Sequence, residues 1–481
     1  MKSILKQFRQ FLFVLSFISF LISDLSAQAP DTLWTKTFGG DDFDQGYCVR
    51  QTLDGGYIIA GTTESFGAGN GDIWLIKTND GGDTVWTRTI GGRGWDWIGE
   101  TGASVQQTTD GGYIIIGTTN SYGSGNGDYW LIKTNDEGDT IWTKTFGGDE
   151  YDQGESVQQT DDGGYIIIGH TRSFGTAGSH DLWLIKTNPS GDTLWTNTFG
   201  GNSDDRGHCV QQTDDCGYII AGTTESFGAG NCDIWLIKTD DGGDTVWTKT
   251  FGGTESDEGY FVQQTLDGGY IITGCIDLWV EGACLIKTDE IGGMLWMKIF
   301  EESFGWVVQQ TSDKGYIIVD CVIKTDVWGD TLWTKTIEGY IEGYGSGRSV
   351  QQTKDGGYIV IGSIYSMERG YDIFLIKTAP DLSNINQGTQ QIIPSRITLS
   401  QNYPNPFNPS TTIEFTLPKS EFITLKIYNI LGKEVTTLVS NKLNQGNHTY
   451  TFDGKNLASG VYYYQLVAGD YREVKKMILL R

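Results

Sequence analysis

In the connections that follow the Gly-Gly of "TFGG", an aspartate stands two places before a glycine four times, just ahead of a strand-like run: Asp44, Asp152, Asp205 and Asp257. Carboxylates repeated beside turn residues suit calcium, a hard cation that takes carboxylate and carbonyl oxygens. An aspartate in this setting can equally cap a turn through its own backbone, with no ion. A second candidate is "GWDWIGETGA", where Trp95, Asp96 and Trp97 fall in a connection longer than its counterparts. Aromatics that the other repeats lack are the better candidates for recognition, because the repeated architecture does not require them. Other chemistry has little to work with. His170, His180, His208 and His448 form no H-x-x-H or H-E-x-x-H pattern, and no G-x-S-x-G elbow occurs. Acidic residues are so numerous in the connections that a glycosidase-like carboxylate pair stays open, although no one pair stands out. The seven cysteines contain no C-x-x-C spacing; Cys284 and Cys321 hold like positions in adjacent repeats, and the set as a whole outlines no metal site or disulfide framework.

The elements that must position these residues come from a repeat. The tyrosine of "GGYII" recurs at Tyr57, Tyr113, Tyr165, Tyr218, Tyr270, Tyr316 and Tyr358, with a period near 50 that shortens towards the end. Such a period belongs to propellers and solenoids. Each unit parses into four strands: "SVQQT" (104–108), "GYIIIG" (112–117), "DYWLIKT" (128–134) and "DTIWTKTF" (139–146). Glycine-bearing turns join the first to the second and the third to the fourth. The second strand is apolar on both faces, which calls for sheets stacked face to face. The ends carry a further signal. A fourth-type strand, "DTLWTKTF" (31–38), precedes any first strand, and the last third-type strand, "DIFLIKT" (372–378), has no fourth strand after it. The N-terminal strand is therefore expected to complete the last sheet and leave no open edge.

"WTKTFGGDEYDQGESVQQTDDGGYIIIG" (142–169) resembles the bacterial β-propeller repeats called SBBP, and "LIKTNDEGDTIW" resembles the tryptophan-docking turn of PQQ-type quinoprotein propellers. The resemblance implies a fold and no single activity. With the strand count, the expectation is an all-β chain: a seven-bladed β-propeller over 28–380, closed by an N-terminal strand.

Two flanking segments differ in kind. Residues 1–27 carry Lys2, Lys6 and Arg9, an apolar run and small residues around Ala27, the pattern of a signal peptide. The apolar run is shorter than the roughly 20 residues that a spanning helix needs, and no later segment is long and apolar enough. After a linker at 381–395, proline-rich "YPNPFNP" opens residues 396–481, where "YNILG", "ASGVYYY" and "KKMILL" follow in short alternating strands. These phrases resemble the type A C-terminal sorting domain of the type IX secretion system. The resemblance implies a small immunoglobulin-like β-sandwich that addresses cargo across the outer membrane. Its signature falls here on Pro404, Asn405, Pro406, Gly432, Gly460, Lys475 and Lys476.

Charge narrows the partners. The formal net charge is −26, and with the signal and tail set aside the rest carries −32. Such a surface repels nucleic acid, whose binding relies on Lys and Arg. The expected protein is secreted or displayed on the outer-membrane surface and meets the type IX machinery through its tail. Its favoured role is a non-enzymatic binding or adhesion module for glycan or protein, and the alternative is a secreted carbohydrate-active enzyme. Binding is expected on the end carrying the longer connections, since long loops on a rigid scaffold are where recognition usually lives.

Overall fold

Among the described residues, glycine-punctuated apolar runs fold into strands. The computed structural model describes residues 28–381 and 397–479, apart from 100–103, 177, 278–281, 302, 304, 320, 337–344, 367–369, 400, 401, 403, 404, 406, 408, 456 and 470. The expected signal peptide lies outside the described residues. The chain divides into two compact units, Met1–Asp381 and Leu382–Arg481.

The first unit holds seven antiparallel sheets among its described residues; six have four strands, and in the seventh the inner strand is split in two. A representative sheet runs Asp152–Gln159, Tyr165–Thr171, Asp181–Thr187 and Thr193–Phe199 in spatial order. Its two middle strands are buried along their whole length, because both faces pack on neighbouring sheets. The outer strand alternates exposed and half-buried residues. Successive inner strands touch, and the last of them, Gly345–Gln352, touches the first, Asp44–Gln51, so the ring closes.

Closure uses the N-terminal strand. Thr32–Phe38 pairs antiparallel with Gly370–Thr378, placing Trp34 opposite Lys377 and Phe38 opposite Ile373. Trp34 then meets Tyr57 of the first sheet edge-on, with ring centroids 5.9 Å apart. The same contact recurs from each sheet to the next, for example Trp86 to Tyr113 at 5.9 Å and Trp333 to Tyr358 at 5.7 Å. The indole also covers a turn glycine of the next sheet: a Cβ on Gly138, whose φ is +79°, would lie 2.6 Å from the Trp86 ring.

The paired glutamines of "QQT" solve a problem that closure creates. The inner edge of every innermost strand faces the axis, and its N–H groups have no neighbouring strand to accept them. Side-chain carbonyls take that place. Gln106 Oε1 accepts from Gln159 N at 2.8 Å, Gln158 from Gln212 N at 2.6 Å and Gln211 from Gln264 N at 2.7 Å. Gln263, Gln309 and Gln351 continue the series to Gln310, Gln352 and Gln51. The second glutamine of each sheet bonds in the opposite direction, as Gln107 Oε1 does in accepting from Leu53 N at 2.8 Å. Six of the seven neighbouring pairs of sheets are thus cross-linked twice at the axis, and the first and second sheets once.

The second unit has a three-stranded sheet, Thr398–Leu399, Ser410–Leu417 and Gly446–Asp453, and a four-stranded one built from Glu434–Leu443, Glu421–Asn429, Gly460–Ala468 and Tyr471–Leu479. Residues of both sheets share one core, among them Ile413, Phe415, Ile427, Tyr464 and Met477.

Candidate functional site

The inner strands enter from the long connections, and five of them carry an irregularity just past their glycine. Between Gly46 and Cys48, Gly154 and Ser156, Gly207 and Cys209, Gly259 and Phe261, and Gly347 and Ser349 the register slips by one residue. The unpaired residue at each slip is a β-bulge, a device that re-aims a side chain. Those residues are Tyr47, Glu155, His208, Tyr260 and Arg348, with Trp306 at the same place ahead of Val307–Gln310. The valines and glutamines that follow hardly vary between repeats, yet these positions differ in size, charge and hydrogen-bonding chemistry.

The re-aimed side chains meet in a row across five sheets. Arg348 lies 5.8 Å from the Tyr47 ring centroid and 4.2 Å over Trp306. Trp306 stacks on Tyr260 at 4.7 Å, and Tyr260 meets His208 edge-on at 6.0 Å. Tyr260 also donates to Glu258 Oε2 at 2.8 Å. Burial and the nearby Arg206 push His208 down to about 4, so it stands neutral at pH 7. Beside it His170 and His180 lie 5.0 Å apart, and His180 Nδ1 and Arg206 both reach Asp204 Oδ2 at 3.0 Å. Burial works against the Asp204 carboxylate, but its bonds to His180 and Arg206 hold it well below the usual range. The row offers a cation, aromatic edges and hydrogen-bonding groups, which is equipment for recognition.

The repeated aspartates sit elsewhere. Asp44, Asp152, Asp205 and Asp257 are buried, and each carboxylate turns back into its own connection. Asp44 accepts from Gly40 N and Ser65 Oγ, both at 2.7 Å; Asp152 accepts from Gly148 N at 2.9 Å and Ser173 Oγ at 2.7 Å. Asp205 does the same with Gly201 N and Ser226 Oγ, while Asp257 accepts from Gly253 N and Asp277 N. Thr171 and Thr224 add hydroxyl bonds to Asp152 and Asp205. In these bonds the carboxylates act as turn caps, while Asp44 Oδ1 is buried with no hydrogen-bond partner among the described residues. The aspartates before the third strands crowd the same turns. Burial first, with Asp152 adding repulsion, raises Asp128 to about 6.

Trp95, Asp96 and Trp97 take a different place from the one their long connection suggests. Asp96 accepts from Gly92 N at 2.7 Å and Ser121 Oγ at 2.6 Å, which makes it the cap of its own sheet. Trp95, 42% exposed, precedes it as Phe43 and Tyr151 precede Asp44 and Asp152. Trp97 pairs with Thr118, and the extra residues come after it. The second connections behave as packing elements: Phe66 rests on Trp74 at 5.2 Å and Phe174 on Trp183 at 4.9 Å.

In the tail, Asn405 Oδ1 accepts from Ile478 N at 2.8 Å, and Phe407 N donates to Ile478 O at 2.9 Å. The proline-rich motif and the terminal strand, far apart in sequence, are therefore joined. Gly432, with φ +73°, closes the turn from Asn429, and Gly460 opens the strand to Ala468. Lys475 Nζ lies 3.4 Å from Glu473, and Lys476 is exposed on the last strand. Pro404 and Pro406 lie outside the described residues. Residues 401–480 match the secretion system C-terminal sorting domain. The tail is a sorting domain. A chain bearing it is sent to the cell surface or beyond, and the machinery that reads it is the type IX secretion system. No helix among the described residues is long and apolar enough to cross a membrane.

No curated relative matches the chain by sequence. Among solved structures it is similar to PorZ, a bacterial surface component of the type IX secretion system of Porphyromonas gingivalis, at 13% identity and a TM-score of 0.44, covering 92% of this chain and 60% of that one. This chain thus spans less than two thirds of PorZ. It is also similar to a fungal alcohol oxidase of the AA5 family in complex with copper (10% identity, TM-score 0.43, 94% and 100% covered) and to the Dos1 propeller (10%, 0.42, 72% and 95%). The closed ring of four-stranded sheets is by its own topology a β-propeller.

Proposed function

We propose that this chain is a seven-bladed β-propeller over 28–380, made with a signal peptide at 1–27 and exported by an immunoglobulin-like sorting domain at 396–481 after a linker at 381–395. Outside the cell it works as a non-enzymatic binding or adhesion module for a glycan or protein ligand. One observation carries this reading: on the inner-strand bulges the chemistry changes from repeat to repeat, and there Arg348, Trp306 and Tyr260 stack. Varied side chains on bulges at one end of a rigid scaffold add recognition without disturbing the fold. The histidines nearby are held neutral or tied to Asp204, which leaves them as hydrogen-bonding groups.

A glycan array and a panel of extracellular polypeptides, probed with the mature protein, test this reading. Both are run with and without calcium, which covers the ion at Asp44, Asp152, Asp205 and Asp257. Saturable binding to one class is expected, and its strength should be the same in either buffer. A blank result on both panels rejects the binding role.

A further inference from the structure

The opposite end of the ring holds a second set of unvarying groups with one exception. A channel of about 490 Å³ runs along the axis, and of the described residues lining it Arg50 is the single charged one, in a chain whose net charge is −26. Arg50 occupies the position that Gln106, Gln158, Gln211, Gln263, Gln309 and Gln351 hold in the other sheets.

Their bonding fixes which way those six amides point. A backbone N–H needs an acceptor, so each Oε1 faces the neighbouring sheet and each Nε2 is turned away from that bond. The six Nε2 groups have no protein acceptor among the described residues, and the side chains line the channel. Arg50 breaks the pattern in a directed manner. A guanidinium cannot accept, so Gln107 N–H lacks the side-chain acceptor that its six counterparts have. An acceptor is lost there and a cation gained. Arg50 bonds to Val49 O at 2.9 Å and to Ser349 Oγ at 3.3 Å, which holds it at the rim. Burial raises the Cys209 thiol to about 12, and the bond to Val262 O and the charge of Arg50 pull against that rise.

We propose that the glutamine end of the channel is an anion site, in which Arg50, the Gln107 N–H and the inward Nε2 groups hold an oxyanion, either a free sulfate-like ion or the carboxylate of an entering ligand. Fixed N–H donors around one guanidinium, in a cavity whose described lining has no acidic side chain, form an oxyanion receptor. This site lies at the other end of the inner strands from the bulge row and does not depend on it.

Equilibrium dialysis of the mature full-length protein against radiolabelled sulfate, and separately acetate, at constant ionic strength tests the site. The comparison is with Arg50→Gln, which installs the residue of the other sheets and can cap Gln107, and with Arg50→Lys. About one sulfate per chain is expected, weakened at least tenfold in Arg50→Gln and less in Arg50→Lys, with Arg50→Gln melting no lower than the parent. Acetate retained as well as sulfate marks a carboxylate receptor, and sulfate alone marks a free-ion site; either supports the proposal. Binding that survives Arg50→Gln unchanged, or no binding of either anion to the parent, overturns it and leaves a water-filled channel.

Discussion

Removing residues 28–39 is expected to lower the thermal midpoint of the mature protein by roughly 10 °C, far more than the loss of twelve residues at a free end would. Thr32–Phe38 is the outer strand of the last sheet, with partners from Thr378 to Ile373. Its loss strips that sheet of a ladder, at about 1 kcal/mol net for each hydrogen bond, and unstacks Trp34 from Tyr57 and Gly82. The total is on the order of 5 kcal/mol. An unpaired edge on Gly370–Thr378 should also promote association between molecules. A peptide of residues 28–39 added in trans should restore part of the midpoint. Equal midpoints for trimmed and intact protein would show that the ring does not depend on this strand.

Deleting residues 396–481 is expected to leave the propeller folded and to strand it in the periplasm. The tail keeps its own core around Phe415, Tyr464 and Met477, and the ring has core clusters of its own. Its removal takes away the address and not the packing. Fractionation should find the truncated protein soluble in the periplasm with the ring's melting behaviour intact. Truncated protein in the medium at the parent's level would contradict the role given to the tail.

The strands, their order within a sheet and the closing role of residues 31–38 were legible in the sequence, because alternation, glycine turns and the count of strand types are local signals. The export tail was legible for a similar reason: its motifs stand in fixed order, and the structure joins the first to the last through Asn405 and Ile478. What escaped needed register. A bulge residue such as Tyr260 or Arg348 looks like one more strand residue until its partners are known, yet aligning the repeats and asking which position after Asp-x-Gly changes chemistry would have marked it. Length alone drew attention to Trp95, Asp96 and Trp97, and length cannot say on which side of Trp97 the extra residues fall. The capping of Asp44, Asp152 and Asp205 depends on Ser65, Ser173 and Ser226, each 21 residues further on, so spacing alone could not show it. The glutamine rings required knowing that each sheet meets the next at the axis.

The bulge row as the recognition surface is tested most directly by the affinity of the ligand found on the array or panel for three proteins: the parent, Trp306→Ala and Phe66→Ala. Trp306 stands at the centre of the stack, where truncation of an aromatic anchor costs about 2 kcal/mol or more. Phe66 is as aromatic but serves to pack its own connection on Trp74. The predicted result is a loss of roughly 30-fold or more in Trp306→Ala and a change within about threefold in Phe66→Ala, with both variants folded. Parent-like affinity in a folded Trp306→Ala protein would contradict the assignment of recognition to the bulges.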